Sequence, residues 1–282
     1  MLEPGQAIGE YQVVGPCRTG ASSRVYPGRH LSTGQLVAIK VLHQEWADVP
    51  EIRARFINEA VALTGLSHPH VVKILSAEQL TVPQASPYIV LEWLPHTLAT
   101  LSRRPPYPLA QVRSIGNQLS SALSFLSMHG LVHRDLKPGN VLLADEELEA
   151  ASLKLADFGL AKILPDAPIR VAATLQSLST ATGSRLGTWE YMAPEQWMSA
   201  KEIDSRADLY SLGVMLFELL TGHLPFCAER PQELMALHLF DPPPADLLKS
   251  IHDRPLRQLV ERLLAKHARQ RPSMAEVQAA FS

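Results

Sequence analysis

The feature that most constrains this chain is a polar stretch, residues 133–140, that lies between two apolar segments. It reads His-Arg-Asp-Leu-Lys-Pro-Gly-Asn and is followed directly by a run of aliphatic residues. A polar loop between apolar strands is typical of a functional site, because a rigid scaffold can hold reactive side chains in place. Within it, Asp135 can accept a proton, Lys137 can neutralise an anion, and Asn140 can bind a hard cation through its amide oxygen.

A second motif, Asp157-Phe158-Gly159, follows further along the chain and again comes directly after a mostly apolar run. Together the two motifs resemble the catalytic loop and the metal-binding loop of protein kinases. The resemblance is to a serine/threonine protein kinase domain of the bacterial eukaryote-type (Hanks-type) family, and it extends from about Tyr11 to Phe281. It implies an α+β, two-lobed protein-kinase-like fold, with a small antiparallel β lobe that carries one helix and a larger, mainly helical lobe.

The resemblance also implies a domain organisation. One kinase domain would occupy residues 1–282, with an N-terminal lobe over about 11–91 and a hinge at 92–94. The C-terminal lobe would cover 95–282 and would contain an activation segment at 157–195.

Composition narrows the class of protein. The 282 residues are 46% hydrophobic and 19% charged, with a formal net charge of -2, so bulk charge suggests neither a nucleic acid nor an anionic membrane as partner. The two cysteines, Cys17 and Cys227, make no disulfide framework. We see neither a signal peptide nor an apolar run of the ~20 residues that a membrane helix needs. We therefore expect a cytoplasmic protein, with the cytosolic domain of a longer membrane protein as the open alternative.

Two strands near the N-terminus are predicted to flank a turn-rich loop at residues 15–23. Kinases cover the ATP phosphates here with G-x-G-x-x-G-x-V, whose glycines let backbone N–H groups approach the phosphates. With Val25 as the closing valine, the glycine positions fall on Arg18, Gly20 and Ser23. Only Gly20 keeps the pattern, and Arg18 either places a cation near the nucleotide or points to solvent.

A lysine in the middle of a predicted strand is the next candidate. In residues 37–42 the alternation places Ala38 and Lys40 on one face, and a mid-strand lysine is costly unless it is paired. The resemblance implies that Lys40 holds the α- and β-phosphates and that Ala38 lies against the adenine, whereas an edge-strand lysine that reaches solvent is the structural alternative. Its expected partner is Glu59, on a helix predicted over 51–65.

Short strands are predicted over 71–75 and 88–91, followed by the expected hinge. The resemblance places Leu91 at the back of the adenine pocket and makes the backbone of residues 92–94 the part that binds adenine. The nucleotide-binding candidates are Gly20, Val25, Ala38, Lys40, Leu91, Glu92, Leu94 and Asp157.

In the expected C-terminal lobe, helices are predicted over 109–129, 205–220 and 256–265. A capping box at residues 273–276 predicts the start of a last helix. The resemblance adds two long-range contacts: Asp208 would accept hydrogen bonds from the catalytic-loop backbone, and Arg271 would pair with Glu195. We interpret His133 as a residue that bonds the backbone rather than as an acid or base.

Residues 162–185 contain many serines and threonines and few large apolar residues, which is typical of a functional or disordered loop. The resemblance identifies them as part of the activation segment. The resemblance makes Thr180 and Thr182 the phosphorylation candidates, since they stand two apart and shortly before residues 187–188, as in bacterial relatives. Kinases with an arginine at the position of Arg134 commonly bind a phosphorylated residue of this segment.

The segment closes with Gly-Thr-Trp-Glu-Tyr-Met-Ala-Pro-Glu at residues 187–195. Thr188 and Lys137 are expected to steady a hydroxyl acceptor beside Asp135 and favour Ser/Thr over Tyr specificity. Trp189 stands where such kinases often have proline, so the substrate pocket is expected to differ there.

The resemblance implies a non-specific serine/threonine protein kinase that uses ATP and Mg²⁺, with Mn²⁺ as an alternative metal. Its partners would be protein substrates, including its own activation segment, with a homodimer as one route to autophosphorylation and a place in signal transduction. The catalytic candidates are Asp135, Lys137, Asn140, Lys40, Glu59 and Thr188, and the metal candidates are Asn140 and Asp157. The degenerate glycine loop supports a rival hypothesis, a pseudokinase scaffold with weak or no phosphoryl transfer. The intact candidate residues argue against it, namely Lys40, Glu59, Asp135, Asn140 and Asp157.

Overall fold

The computed structural model describes residues 1–20, 22–79, 86–101, 104–146, 152–157, 189–198 and 203–281. The side chains of Arg55, Glu59, Ala62, Glu78 and Gln79 lie outside this description. The chain divides into two compact units, the first comprising Met1–Leu94 and the second beginning at Pro95.

The first unit is built on an antiparallel sheet of seven strands. The strands are β1 (Ala7–Ile8), β2 (Tyr11–Val13), β3 (Arg18–Thr19), β4 (Ser23–His30), β5 (Leu36–Leu42), β6 (Ile74–Gln79) and β7 (Pro87–Glu92). Their order is β1-β2-β4-β5-β7-β6, with β3 paired to β4. The central strands are rich in β-branched and aromatic residues, which suit a pleated, buried surface.

One face of this sheet carries a hydrophobic core. Its centre consists of side chains that are at least nine-tenths buried, namely Ile8, Tyr11, Val13, Tyr26, Val37, Ile39, Tyr88 and Val90. Successive residues of a strand point to opposite faces, so Ala38 and Lys40 lie on the other face. The predicted alternation over residues 37–42 is therefore confirmed for the strand that carries Lys40.

Two helices, α1 (Gln44–Ala47) and α2 (Pro50–Leu63), connect β5 to β6. Helix α2 was predicted over 51–65, and it ends earlier because Thr64 is extended and Gly65 has a φ of 89°, a conformation that suits glycine. Phe56, Ala60 and Leu63 are buried at the spacing that predicted the helix.

Two predictions for this unit were partly wrong. The loop over 15–23 contains strand β3 and ends where β4 begins, because pairing of Arg18 with Val25 overrides the turn-rich composition. The strand predicted over 71–75 begins only at Ile74 and continues to Gln79, since its pairing with β7 sets its bounds.

The second unit is mainly helical. Its helices are α3 (Leu109–Met128), α4 (Pro194–Met198), α5 (Arg206–Thr221), α6 (Pro231–Phe240), α7 (Ala245–Leu248), α8 (Arg254–Leu263) and α9 (Met274–Phe281). Helix α5 is buried on nearly all sides, as its apolar sequence predicted, and it ends at Gly222 in the left-handed conformation. Helices α3 and α8 pack against it, so α5 forms the centre of this unit.

A three-stranded antiparallel sheet lies beside these helices, in the order β10 (Lys154–Leu155), β9 (Val141–Leu143), β8 (His96–Thr97). Residues 133–140 lead directly into β9, and Asp157 follows β10 by two residues. The sheet therefore brings the ends of the two sequence motifs together.

The capping box predicted at residues 273–276 is confirmed. The Ser273 backbone N–H donates to Glu276 Oε2 over 2.8 Å, and the Glu276 backbone N–H donates to Ser273 Oγ over 3.3 Å. Helix α9 begins at Met274, directly after the capping serine.

Of the helices in the described part of the chain, none combines the length and the apolar character that crossing a membrane requires.

Candidate active site

The backbone of the loop at residues 133–140 is held by one buried carboxylate. Asp208 accepts a hydrogen bond from the His133 N–H on Oδ2 and one from the Arg134 N–H on Oδ1, each 2.7 Å long. Burial raises the pKa of Asp208, while the two N–H donors and the charge of Arg134 oppose this rise. The predicted role of Asp208 as the acceptor for this backbone is confirmed.

His133 is fully buried and serves the same scaffold. Its Nδ1 accepts the Asp135 N–H over 3.2 Å, so the ring hydrogen lies on Nε2, which donates to the Ala156 carbonyl over 2.9 Å. Burial lowers the pKa of His133, which keeps the ring neutral. The interpretation of His133 as a backbone-bonding residue is therefore confirmed.

Two residues of the site have unusual backbone conformations. Arg134 has a φ of 65° and Asp157 a φ of 59°, both in the left-handed region that costs a non-glycine residue about 1–3 kcal/mol. At Arg134 the bond to Asp208 and a bond from Gln196 Nε2 to the Arg134 carbonyl (2.9 Å) hold the peptide in place. A strained backbone conformation persists only where several surrounding contacts hold it in place, and such conformations are most frequent at active sites.

Asp135, Lys137 and Asn140 form one hydrogen-bonded cluster. Lys137 Nζ lies 2.8 Å from Asp135 Oδ2, and Asn140 Nδ2 donates to the same oxygen over 3.0 Å and to the Asp135 carbonyl over 2.8 Å. The Asp135 and Lys137 side chains are about one-fifth exposed (17% and 21%). The carboxylate is thus fixed by two donors and still reaches solvent.

Asp157 is tied to this cluster through the backbone. The Ala156 N–H donates to the Asn140 carbonyl over 2.9 Å, and the Ala156 carbonyl accepts from His133. Ala156, the residue directly before Asp157, is therefore held to residues 133–140 by two hydrogen bonds, one through its N–H and one through its carbonyl. The structure brings Asn140 and the start of the Asp-Phe-Gly motif to one edge of the small sheet.

The donor set at this edge suits a divalent cation that keeps much of its own water. Asn140 uses its amide nitrogen on Asp135, so its Oδ1 is the atom that can act as a ligand. Among the described residues no group of three or more His, Cys, Asp or Glu forms a metal site. A carboxylate and an amide oxygen suit a hard divalent cation whose other ligands are waters and phosphates, rather than a closed protein cage.

In the first unit, the nucleotide-binding candidates share one face of the sheet. Val25 is the Cα partner of Lys40, and Ala38 is the partner of Leu91, so the four side chains lie on the face opposite the hydrophobic core. We call this set, Val25, Ala38, Lys40 and Leu91, the Lys40 face. Lys40 itself is only 5% exposed.

For the remaining candidate residues, the structure describes fewer contacts or does not describe the side chain. Gly20 is exposed at the turn between β3 and β4, Glu92 ends β7 with Oε1 accepting the Lys73 N–H over 2.7 Å, and Leu94 is half-buried. Glu59 lies in helix α2, but its side chain is outside the description. Thr180, Thr182 and Thr188 lie outside the described residues.

The end of the predicted activation segment is anchored in the second unit. Arg271, whose side chain is fully buried, lies 2.6 Å from Glu195 Oε1 and donates to Oε2 over 2.8 Å. The predicted pairing of these two residues is confirmed. Trp189 is buried against Phe226 and Leu234, with the Trp197 ring centroid 6.0 Å from its own.

A family model for the protein kinase domain matches residues 11–280, nearly the whole chain. The chain belongs to the protein kinase domain family. In this kinase domain each of the two sequence motifs contains a non-glycine residue with a positive φ, Arg134 in the first and Asp157 in the second.

Curated bacterial relatives support the same assignment. The kinase domain is 36% identical over 263 residues to serine/threonine-protein kinase Pkn1 of Myxococcus xanthus, covering 93% of this chain and 36% of the relative. It is 36% identical over 280 residues to the DNA damage-responsive kinase RqkA of Deinococcus radiodurans, covering 96% of this chain and 39% of that protein. The chain therefore spans little more than a third of these relatives. The resemblance to bacterial eukaryote-type kinases is confirmed.

Among solved structures, the kinase domain of Mycobacterium tuberculosis PknI superposes with a TM-score of 0.72 at 24% identity. The match covers 100% of this chain and 98% of that one. The likeness shows the fold, and it confirms the predicted α+β protein kinase architecture.

The roles of two side chains of this kinase domain, Gln196 and Glu218, were not predicted from the sequence. Gln196 accepts the Ala193 N–H on Oε1 (2.9 Å) while its Nε2 reaches the Arg134 carbonyl, so it ties the start of α4 to the catalytic loop. Glu218, the acid within the apolar helix α5, accepts the Tyr191 hydroxyl over 2.5 Å, and burial raises its pKa. Only the position of Glu218 in an apolar run could have indicated a partner.

Proposed function

We propose that this chain is a protein kinase that transfers the γ-phosphoryl group of ATP to serine or threonine hydroxyls of proteins. The observation that carries the proposal is the hydrogen-bonded Asp135–Lys137–Asn140 cluster, which lies on a loop with a strained backbone beside Asp157. Phosphoryl transfer needs positioning and charge neutralisation more than covalent chemistry. A fixed carboxylate, a cation and a metal ligand within one loop supply these requirements.

Asp135 is the proposed proton acceptor. Its carboxylate is oriented by Lys137 and Asn140 and is only partly screened by solvent, which suits a group that must receive the proton of an incoming hydroxyl. Besides orienting Asp135, Lys137 has a second proposed role. Because its ammonium is already held at the carboxylate, it lies where a transferred phosphoryl group would approach and can neutralise its charge.

Asn140 and Asp157 are the proposed ligands of a divalent metal. We propose Mg²⁺, with Mn²⁺ as an alternative, because the donors are hard oxygens and few in number. When bound, such an ion neutralises phosphate charge. The protein contributes the amide oxygen of Asn140, fixed by the bonds of Nδ2, and the left-handed backbone that presents the Asp157 carboxylate.

The Lys40 face is the proposed nucleotide-binding surface of the first unit. Val25, Ala38 and Leu91 offer an apolar surface for the adenine, and Lys40 offers a cation for the α- and β-phosphates. Glu59 is the proposed partner of that lysine. The backbone of residues 92–94 is the proposed site of hydrogen bonds to the adenine edge.

Substitution of Lys40 by methionine tests this proposal against a pseudokinase scaffold. We expect the parent to phosphorylate itself in a magnesium-dependent reaction, and the Lys40→Met variant to be slower by roughly 10²-fold, the lower range for losing one preorganised electrostatic contact. The assay is incorporation of radiolabel from γ-labelled ATP. A parent protein that binds ATP without transferring label would instead support the scaffold hypothesis.

Autophosphorylation is expected at Thr180, Thr182 or both, within the part of the chain that the structure leaves undescribed. A phosphate adds about -1.5 to -2 charge and can order a loop through an arginine, for which we propose Arg134. We expect mass spectrometry of active protein to find phosphate at these threonines, and the double alanine variant to lose activity. An unmodified active protein, or a fully active double variant, would contradict this assignment.

Thr188 and Lys137 are proposed to favour Ser/Thr over Tyr acceptors by steadying the hydroxyl beside Asp135. The proposed partners are protein substrates and ATP. Transient pairing of two copies of the chain is the proposed route by which one activation segment reaches another active site.

A further inference from the structure

One residue with no role in the sequence argument holds the tip of the loop between β3 and β4. The His43 backbone N–H donates to the Ser22 carbonyl over 2.8 Å, and His43 Nε2 lies 2.9 Å from the Gly20 carbonyl oxygen. A carbonyl oxygen can only accept, so Nε2 carries the hydrogen and donates it. His43 therefore fixes two carbonyls of the loop tip with two separate N–H groups.

The anchor is itself rigid. His43 is 8% exposed and precedes helix α1, where its carbonyl accepts the Trp46 N–H over 3.0 Å and the Ala47 N–H over 2.9 Å. Helix α1 is tied in turn to the start of β7, because Ser86 Oγ donates to Gln44 Oε1 over 2.9 Å. The imidazole is thus a buried part of the sheet's framework that reaches the loop, rather than a mobile surface group.

The loop that it holds is a tight hairpin. Arg18 pairs with Val25, and the Gly20 N–H donates to the Ser23 carbonyl over 2.8 Å, which closes the turn. A Cβ on residue 20 would lie 3.3 Å from that same carbonyl oxygen, closer than side chains usually allow. Glycine at position 20 therefore avoids a tight contact within the turn, and the hairpin forms with Arg18 and Ser23 at the other two positions.

We propose that His43 is a positioning residue for phosphate binding, because it keeps the carbonyl oxygens of Gly20 and Ser22 turned away from an anion. Carbonyl oxygens repel phosphate, and each of these two oxygens is restrained by the hydrogen bond that it accepts from His43. A loop held in this way loses less conformational freedom when the nucleotide binds. The inference rests on the proposed function, in which this loop covers the ATP phosphates.

The test compares two ligands by isothermal titration calorimetry: ATP, and adenosine, which has no phosphates. His43→Leu removes the ring donor and keeps an apolar side chain in the buried position. We expect the Kd for ATP to rise roughly three- to tenfold, the effect of losing one hydrogen bond between neutral groups, and the Kd for adenosine to stay at the parent value. His43→Gln can place an amide N–H near the same carbonyl, so it should restore most of the ATP affinity.

His30→Leu is the matched control. His30 lies at the opposite end of β4, where its Nδ1 accepts from Ser32 Oγ over 3.2 Å, and its loss should leave both affinities unchanged. An unchanged ATP affinity in His43→Leu, or an equal loss for ATP and adenosine, would overturn the inference. If the leucine variant does not fold, His43→Asn, whose side chain is too short to reach Gly20, is judged by the same outcomes. A parent that binds no ATP would overturn the proposed function as well.

Discussion

Replacing Asp135 with asparagine is expected to slow phosphoryl transfer by roughly 10²–10⁴-fold, the usual contribution of a general base. This corresponds to about 3–5 kcal/mol of activation free energy. The amide keeps the shape of the carboxylate, and its oxygen can still accept from Lys137 and Asn140, which now donate to Asp135 Oδ2. It cannot take a proton, so turnover should fall while ATP affinity stays at the parent value.

The measurement is a steady-state kinase assay together with nucleotide titration on the same preparation. Asp145→Asn serves as the control, because Asp145 is exposed and lies beyond β9, outside the cluster. A variant at position 135 that transfers phosphate at the parent rate would show that another group accepts the proton. A fall in rate accompanied by an equal fall in ATP affinity would point to a binding role instead.

Replacing Glu195 with glutamine is expected to lower the free energy of unfolding of the second unit by about 3–5 kcal/mol, the cost of breaking a buried ion pair. The guanidinium of Arg271 is fully buried. Among the described residues, its acceptors besides Glu195 are the neutral carbonyls of Ala265, Arg206 and Lys266. The amide of glutamine supplies one acceptor where the carboxylate supplied two, and it removes the compensating charge.

Urea unfolding followed by tryptophan fluorescence can measure this loss, since Trp189 and Trp197 lie close to Glu195 in the second unit. The matched control is Glu233→Gln, which breaks the pair with Arg230, whose side chains are 48% and 77% exposed. An exposed pair of this kind contributes less than about 1 kcal/mol. Equal effects of the two substitutions would contradict the view that Arg271 depends on Glu195 for its burial.

The sequence predicted the long-range contacts of the second unit well where a motif carried them. Asp208 was expected to hold the catalytic-loop backbone, and it does so through both oxygens. Arg271 was expected to meet Glu195 across 76 positions of the chain, and the two pair directly. These contacts were predictable because each of the three residues belongs to a sequence motif of the kinase family. Hydrophobic periodicity alone would have identified each one only as a charged residue near the end of a helix.

The loop between β3 and β4 shows what motif reasoning misses. Counting glycines suggested a degenerate phosphate loop, yet β3 pairs with β4 with Arg18 and Ser23 at two of the glycine positions. At the third, a Cβ on residue 20 would lie 3.3 Å from the Ser23 carbonyl oxygen. His43, which bonds the loop, lies 23 positions after Gly20 in the chain. It directly follows strand β5, and nothing in the sequence around it indicates this contact. Gln196 escaped prediction for the same reason, since a side chain that bonds a distant carbonyl leaves no periodic signal.

The most direct test of the account is whether the chain moves the γ-phosphate of ATP to a hydroxyl amino acid. The protein is incubated with γ-labelled ATP and an unrelated acceptor protein, with Mg²⁺ or with EDTA, and the labelled amino acids are identified after hydrolysis. The account predicts label on serine and threonine of the acceptor, present with Mg²⁺ and abolished by EDTA. Label on neither residue, or transfer that continues unchanged in EDTA, would contradict it.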